Sequence, residues 1–197
     1  ACEQLAAISI AQHHQNQETQ AQQQLTELEK LELEAQNQQL RAQAFCDPLT
    51  SLYNRRFFDE TLQNEIHRAC RRGTTIGAVF VDVDRFKNLN DAYGHHFGDV
   101  VLTQLGQTIQ KNIRGTDIAA RYGGEEFVVL AVDASESGLR ILAERIRQSI
   151  ESETFRHKST VVPVTVSVGA AFASPQRGDE NLPSQILETA DAAMYES

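Results

Sequence analysis

Hydrophobic residues recur at helical spacing along most of the chain, and runs of β-branched residues interrupt them. Apolar positions three to four residues apart predict helices, whereas continuous or alternating β-branched runs predict strands. The predicted helices cover residues 54–71, 86–94 (short, with a turn), 99–113, 135–152 and 182–195. The predicted strands cover residues 76–83, 118–122, 127–132 and 162–168. One hairpin and several helix-crossed strands predict an α+β sandwich of ferredoxin-like or palm type.

The N-terminal part of the chain has a different composition from the rest. Residues 1–44 contain 12 glutamines and no glycine, proline or aromatic residue, which predicts one long helix. A heptad frame with Leu28 and Leu31 at core positions is interrupted by glutamines, which favours a weak coiled-coil dimer; a solvated linker helix is the alternative. We therefore predict an N-terminal coiled-coil signalling helix over residues 1–45 and a globular domain over residues 46–197.

Charge and cysteine content narrow the possible partners and location. The chain has 197 residues and a formal net charge of −9, which disfavours nucleic-acid binding because that depends on neutralising phosphates. The three cysteines show no metal-type spacing, which favours reduced thiols and a cytoplasmic location. The chain begins at Ala1 and stops at Ser197 within a helical pattern. We expect a piece of a longer protein with an upstream sensory domain, and membrane tethering of that protein stays open.

Carboxylates cluster at two predicted strand ends. Asp82 and Asp84 close the first strand two residues apart, so alternation places both on one face. Glu125 and Glu126 lie on the turn of the predicted hairpin. If the hairpin pairs beside the first strand, three or four carboxylates converge, and oxygen ligands of this kind favour Mg²⁺ or Mn²⁺. Metal-dependent phosphoryl transfer is one interpretation, and a solvated acidic turn is the other.

Five blocks of sequence follow one another in a recognisable order. They are DPLTSLYNRR at 47–56, DVDRFKNLND with GHHFGD at 82–99, RYGGEEF at 121–127, VSVGA at 166–170 and ADAAMY at 190–195. Together these blocks resemble the GGDEF family, the diguanylate cyclases, in its GGEEF form. The resemblance covers about residues 47–197. It implies a palm-type fold like that of nucleotidyl cyclases, with a central antiparallel sheet flanked by helices.

The resemblance implies an enzyme that condenses two GTP into cyclic di-GMP with release of two pyrophosphates, at the interface of a homodimer. By matching position, Asp82, the Val83 carbonyl, Glu125 and Glu126 would hold Mg²⁺ or Mn²⁺. Glu125 and Glu126 are also the implied catalytic residues, with Glu125 as the candidate base for the attacking 3′-hydroxyl. Which glutamate is base and which is metal ligand stays open.

The same resemblance assigns the nucleotide contacts. The implied substrate-binding residues are Phe86, Lys87, Asn90, His95, Asp99 and Gly124. Asn90 and Asp99 would read the guanine edge, although taken alone they are typical of a turn residue and a helix N-cap. The family's last helix normally continues with a lysine and a second basic residue that hold the phosphates, and this sequence ends before them. We therefore expect weak GTP binding or slow turnover from this chain.

A third region resembles the RxxD inhibitory site of the family. Arg114 and Asp117, with Arg145 from the following helix, would bind the product cyclic di-GMP and inhibit the enzyme. A surface ion pair between Arg114 and Asp117 is the alternative. A non-catalytic module that binds cyclic di-GMP for signalling is the second functional hypothesis.

Overall fold

The computed structural model describes residues 22, 27–34, 36, 40, 43–176 and 181–194. The chain divides into two compact units, Ala1–Ala44 and Phe45–Ser197. In the first unit, residues 27–34 are helical. Most of the predicted N-terminal helix, including Gln24 and Gln38, lies outside the described residues. None of the helices within the described ranges has the length and apolar character needed to cross a bilayer.

The second unit alternates strands and helices. Its described strands are β1 (Tyr53–Asn54), β2 (Ile76–Val83), β3 (Ile118–Arg121), β4 (Glu126–Val132), β5 (Phe155–His157), β6 (Thr160–Val162) and β7 (Val166–Ala173). Its described helices are α1 (Arg55–Arg72), α2 (Phe86–Tyr93), α3 (His95–Asn112), α4 (Glu136–Glu151) and α5 (Leu182–Met194).

A five-stranded sheet in the order β1-β3-β4-β2-β7 lies at the centre of this unit. The predicted α+β fold, with a central sheet flanked by helices, is confirmed. The sheet is mixed rather than antiparallel throughout, because β1 runs parallel to β3 while the other pairs are antiparallel. Strand β1 was not predicted, because it has only two residues and leads directly into α1. A strand this short shows no hydrophobic periodicity.

Strand β2 lies between β4 and β7 in the sheet and has the predicted bounds. It is almost wholly apolar because helices cover both faces of the sheet. Val79 and Val81 pack on the side of α3 and α4, and Ala78 and Phe80 pack on the side of α1 and α5. On that second side, a Cβ on Gly169 of β7 would overlap the backbone of α5, so a glycine allows the close approach of helix and strand.

Two predicted boundaries are wrong. Helix α3 begins at His95 rather than at residue 99, because Gly94 (φ 85°) forms the sharp corner that separates α2 from α3. Asp99 therefore lies inside the helix, and the N-cap interpretation fails. The predicted strand over 162–168 is interrupted at residues 163–165, where Pro163 has no N–H for a ladder. Strands β5 and β6 form a separate two-stranded sheet before this break.

Candidate functional site

The carboxylates converge at one end of β2, because the hairpin strand β4 pairs beside it, which was the condition for the predicted convergence. Strand β4 pairs with β2 so that Glu126 lies directly opposite Asp82. On the other side of β2, Ser167 of β7 lies opposite Asp82. Glu125 precedes β4 on the hairpin turn. The sheet therefore places the last residues of β2 and the first residues of β4 side by side, which joins two sequence blocks more than 40 residues apart.

The electrostatics of Asp82 show how close these charges are. Burial, followed by the charges of Glu125, Glu126, Asp84 and Asp191, raises the pKa of Asp82 to about 6. Asp191 comes from α5. It lies in the ADAAMY block, but the sequence alone does not mark it as a site residue. In the described part of the chain, no three His, Cys, Asp or Glu side chains are already arranged to hold a metal ion. The carboxylates form an electronegative region whose mutual repulsion a cation would relieve.

Asp84 has a different environment from Asp82. Its two carboxylate oxygens accept hydrogen bonds from the Thr165 hydroxyl at 2.6 Å and the Ser167 hydroxyl at 2.7 Å. Its backbone N–H donates to the Thr165 carbonyl at 3.1 Å. Asp84 therefore ties the end of β2 to the start of β7. Beside it lies a cavity of about 800 Å³ between α2 and the segment 162–167, with Asp82 among its lining residues.

The signature turn is held by backbone and side-chain bonds. The Tyr122 and Gly123 N–H groups donate to the Glu126 carbonyl at 2.8 and 3.2 Å. A Cβ on Gly123 would overlap the Glu126 carboxylate, so any larger residue there would displace that side chain. The Gly124 carbonyl accepts from Nε and Nη2 of Arg121 at 3.1 and 2.7 Å.

Arg121 also joins this turn to the opening sequence block. Its Nη1 lies 3.3 Å from both carboxylate oxygens of Asp47. Asp47 in turn accepts from the Thr50 N–H at 2.9 Å and the Thr50 hydroxyl at 2.8 Å. Both residues lie in family sequence blocks, but neither block reveals this role, because the parallel pairing of β1 with β3 brings them together.

The corner between α2 and α3 carries the residues implied in guanine recognition. The Asn90 side-chain carbonyl is buried and has no hydrogen-bond partner within the residues described. A Cβ on Gly98 would overlap that oxygen. Asp99 and His95 are exposed on the first two turns of α3. A buried acceptor without a donor is costly, and this one fits a ligand that brings an N–H group.

The family resemblance implies that Phe86 and Lys87 cover the phosphates of the nucleotide, and their two side chains differ in exposure. Lys87 is exposed on α2. Phe86 is only 9% exposed and belongs to the hydrophobic core. Its side chain therefore packs inside the domain.

The RxxD segment forms a closed turn before β3. The Arg114 N–H donates to the Asp117 carboxylate at 3.0 Å, and the Asp117 N–H donates to the Arg114 carbonyl at 3.0 Å. The Arg114 guanidinium forms no ion pair with a described carboxylate, so the surface-pair alternative is wrong. Arg145 of α4 donates to the Asn112 carbonyl, which places its guanidinium beside the same turn.

Comparison with known proteins identifies the family. The model of the GGDEF family, described as the diguanylate cyclase GGDEF domain, matches residues 44–197. The chain belongs to the GGDEF family. This GGDEF chain is 36% identical over 156 residues to the response regulator PleD of Caulobacter vibrioides, which covers 78% of the chain and 34% of PleD. It is 38% identical over 162 residues to diguanylate cyclase DgcS of Shewanella oneidensis, covering 82% of the chain and 52% of DgcS.

Solved GGDEF structures share the fold. The coiled coil and GGDEF domain of DgcB from Caulobacter crescentus, in complex with c-di-GMP, superposes with a TM-score of 0.78 at 33% identity and covers 90% of this chain and 93% of that one. Diguanylate cyclase SiaD from Pseudomonas aeruginosa, in complex with its activator SiaC, gives a TM-score of 0.75 at 31% identity, covering 98% and 73%. The GGDEF chain spans about a third of the length of PleD and half that of DgcS.

Proposed function

We propose that this GGDEF domain is a diguanylate cyclase, which condenses two GTP into cyclic di-GMP and releases two pyrophosphates. The observation that carries the proposal is the meeting of Asp82 with Glu125 and Glu126. Burial of Asp82, followed by the charges of these two glutamates, raises its pKa to about 6. The intact GGEEF turn supports the same conclusion, as do relatives that are named diguanylate cyclases.

The residues at this end of the sheet fit a hard divalent cation. Asp82, the Val83 carbonyl, Glu125 and Glu126 supply oxygen ligands only, which Mg²⁺ and Mn²⁺ prefer. When bound, such a cation neutralises phosphate charge and lowers the pKa of a coordinated hydroxyl. The acceptor-only carboxylates, which repel one another without a cation, are the feature of this chain that fits it.

The remaining roles are those of orientation and proton transfer. Glu125 accepts the proton of the attacking 3′-hydroxyl, and Glu126 supports the same centre. The Asn90 carbonyl oxygen and the Asp99 carboxylate accept from guanine N–H groups, with His95 close to the nucleotide. Lys87 and the Gly124 backbone approach the phosphates. Each protomer orients one GTP, so two protomers facing one another complete the reaction.

The homodimer is part of this proposal. Leu28 and Leu31, three residues apart in the helical segment 27–34, are 59% and 54% exposed. An apolar helix face of this kind gains free energy by pairing with a second copy. We propose that residues 1–45 form a coiled-coil signalling helix. This helix would transmit a signal from an upstream sensory domain to the cytoplasmic cyclase domain over residues 46–197.

Product inhibition is the regulatory part of the proposal. Arg114, Asp117 and Arg145 lie around one turn, and the Arg114 guanidinium is exposed and unpaired with any described carboxylate. Paired guanidinium groups suit phosphate and guanine acceptors. The crystal structure of DgcB in complex with c-di-GMP supports product binding in a related domain. We expect Arg114→Ala to leave initial turnover intact and to remove inhibition by added cyclic di-GMP; inhibition that persists in the variant would refute the site.

The experiment that tests the main proposal is incubation of the protein with GTP and Mg²⁺, followed by nucleotide chromatography. Formation of cyclic di-GMP that Glu125→Ala abolishes is the expected result. Binding of cyclic di-GMP without any turnover would contradict the cyclase and favour the non-catalytic signalling module. A chain that neither turns over GTP nor binds cyclic di-GMP would contradict both.

A further inference from the structure

Three aromatic rings form a cluster beside the corner between α2 and α3. The Phe97 and His157 rings stack with centroids 5.1 Å apart and an interplanar angle of 28°. The Tyr93 ring meets the His157 ring edge-on, at 5.4 Å and 90°. Tyr93 and Phe97 also contact each other at 5.5 Å. His157 thus touches both other members of the cluster.

The three rings come from three different elements. Tyr93 is the last residue of α2, and Phe97 lies in the first turn of α3. His157 is the last residue of β5 in the two-stranded sheet, which is not hydrogen-bonded to the central sheet. Phe155 and Val162 fix that small sheet to the core, since they are 1% and 4% exposed. His157 is therefore presented by an anchored element and bridges the two helices at their junction.

The residues implied in guanine recognition flank this junction closely. Asn90 lies one turn before the corner, and its backbone carbonyl accepts from the Gly94 N–H at 2.8 Å. Asp99 lies two residues after Phe97. The angle between α2 and α3 sets the separation between the Asn90 amide and the Asp99 carboxylate. A contact that holds both helices at the corner therefore controls how well the two side chains match one base.

We propose that His157 is a positioning residue for guanine recognition, acting through Tyr93 and Phe97 on the α2–α3 corner. The inference rests on the proposed function, because it takes a guanine nucleotide as the ligand of that corner. His157 holds the two helices so that the Asn90 and Asp99 side chains meet the guanine edge together.

The test compares affinities for non-hydrolysable GTP and ITP analogues with Mg²⁺ by calorimetry. Inosine lacks the 2-amino group of guanine, so the ratio of the two affinities reports recognition of the guanine edge alone. We expect His157→Ala to weaken binding of the GTP analogue about tenfold. The ratio of its affinity to that of the ITP analogue should fall as well. His157→Phe keeps a stacking ring and should restore both quantities. In turnover, KM for GTP should rise with kcat nearly unchanged.

A control on the same strand separates positioning from general loosening of the hairpin. Arg156 is exposed, and strand alternation directs it away from the His157 side. Arg156→Ala should leave both affinities unchanged, and thermal unfolding of every variant verifies that it folds. An unchanged affinity ratio in folded His157→Ala overturns the proposal, as does failure of His157→Phe to restore it.

The outcome is distinguishable from failure of the proposed function. A wild-type protein that prefers the GTP analogue but forms no cyclic di-GMP contradicts the cyclase, while the effect of His157→Ala on the affinity ratio still decides this inference. A wild-type protein that forms cyclic di-GMP, with an unchanged ratio in the variant, overturns the inference alone.

Discussion

The Arg121–Asp47 pair connects the signature turn to the opening block, and its removal should have a measurable cost. The two side chains are only 18% and 17% exposed. Arg121 donates to Asp47 and to the Gly124 carbonyl at once. Asp47→Asn keeps the size of the side chain and removes its charge, which leaves the Arg121 guanidinium largely buried without a counter-ion.

The size of the effect follows from burial and geometry. Breaking a fully buried ion pair costs about 3–5 kcal/mol. The 3.3 Å separations and the residual exposure of both side chains reduce the expected loss for Asp47→Asn to about 2 kcal/mol in the free energy of unfolding. The matched control is Arg56→Ala, which breaks the Arg56–Glu60 pair, whose side chains are 80% and 55% exposed. That variant should lose less than about 1 kcal/mol.

The pH dependence provides a second measurement on the same variant. Burial alone would raise the pKa of Asp47, but hydrogen bonds from Thr50 and the charge of Arg121 outweigh it and hold the pKa below its usual value. A depressed carboxyl pKa contributes stability above the unfolded-state pKa, and this contribution disappears as the pH falls through the folded-state value. Wild type and Asp47→Asn should therefore differ most at neutral pH and converge below about pH 4.

Urea denaturation across this pH range is the assay, with Arg121→Ala and the double variant completing a mutant cycle. We expect the two single effects to be strongly non-additive, because both remove the same pair. Additive losses would refute the assignment of the stability to this interaction. A difference between wild type and Asp47→Asn that is unchanged at pH 3 would refute the electrostatic explanation.

Three further predictions concern the carboxylates around Asp82, the core and the corner between α2 and α3. Because the pKa of Asp82 is raised to about 6, its ionisation destabilises the metal-free fold as the pH rises through that value. Asp82→Asn should therefore gain about 1 kcal/mol in the free energy of unfolding at pH 8 and nothing below pH 4. Added Mg²⁺ should raise Tm in wild type but little in the variant. Gly169→Ala should lose about 3 kcal/mol or more in the free energy of unfolding, since its Cβ would overlap the α5 backbone and approach Met194 N to 2.5 Å. The control Gly115→Ala has no atom within 4 Å of its Cβ and should be nearly neutral in urea denaturation. Gly98→Ala should displace the Asn90 amide and raise KM for GTP at least about tenfold; an unchanged KM would contradict a role for that amide.

Sequence patterns predicted the parts of the fold where one element is long and its burial uniform. The bounds of β2 follow from eight residues that are covered on both faces, and α1 ends where Gly73 takes a left-handed conformation. Short elements escaped prediction. Strands β5 and β6 have three residues each, too few for a period, and the start of α3 depends on a corner that Gly94 makes and the core stabilises.

The candidate site shows the same division. The β3–β4 hairpin is a local feature that the glycines at its turn predict, so the position of Glu125 and Glu126 on that turn was readable. That Glu126 faces Asp82 depends on the pairing of β4 with β2, which the sequence left as a condition. The contribution of Asp191 and the bond from Arg121 to Asp47 depend on elements that are distant in sequence and meet only in the folded sheet. The burial of Phe86 was likewise not readable from its motif, since an aromatic residue between polar ones suits either a surface or a core position.

The central claim is that this GGDEF domain makes cyclic di-GMP from two GTP. The most direct measurement follows both products from GTP with Mg²⁺ in one reaction, cyclic di-GMP by chromatography and pyrophosphate by a coupled assay. We predict two pyrophosphates released per cyclic di-GMP formed, and loss of both products in Glu125→Gln. Pyrophosphate without cyclic di-GMP, or a rate that Glu125→Gln leaves unchanged, would contradict the account.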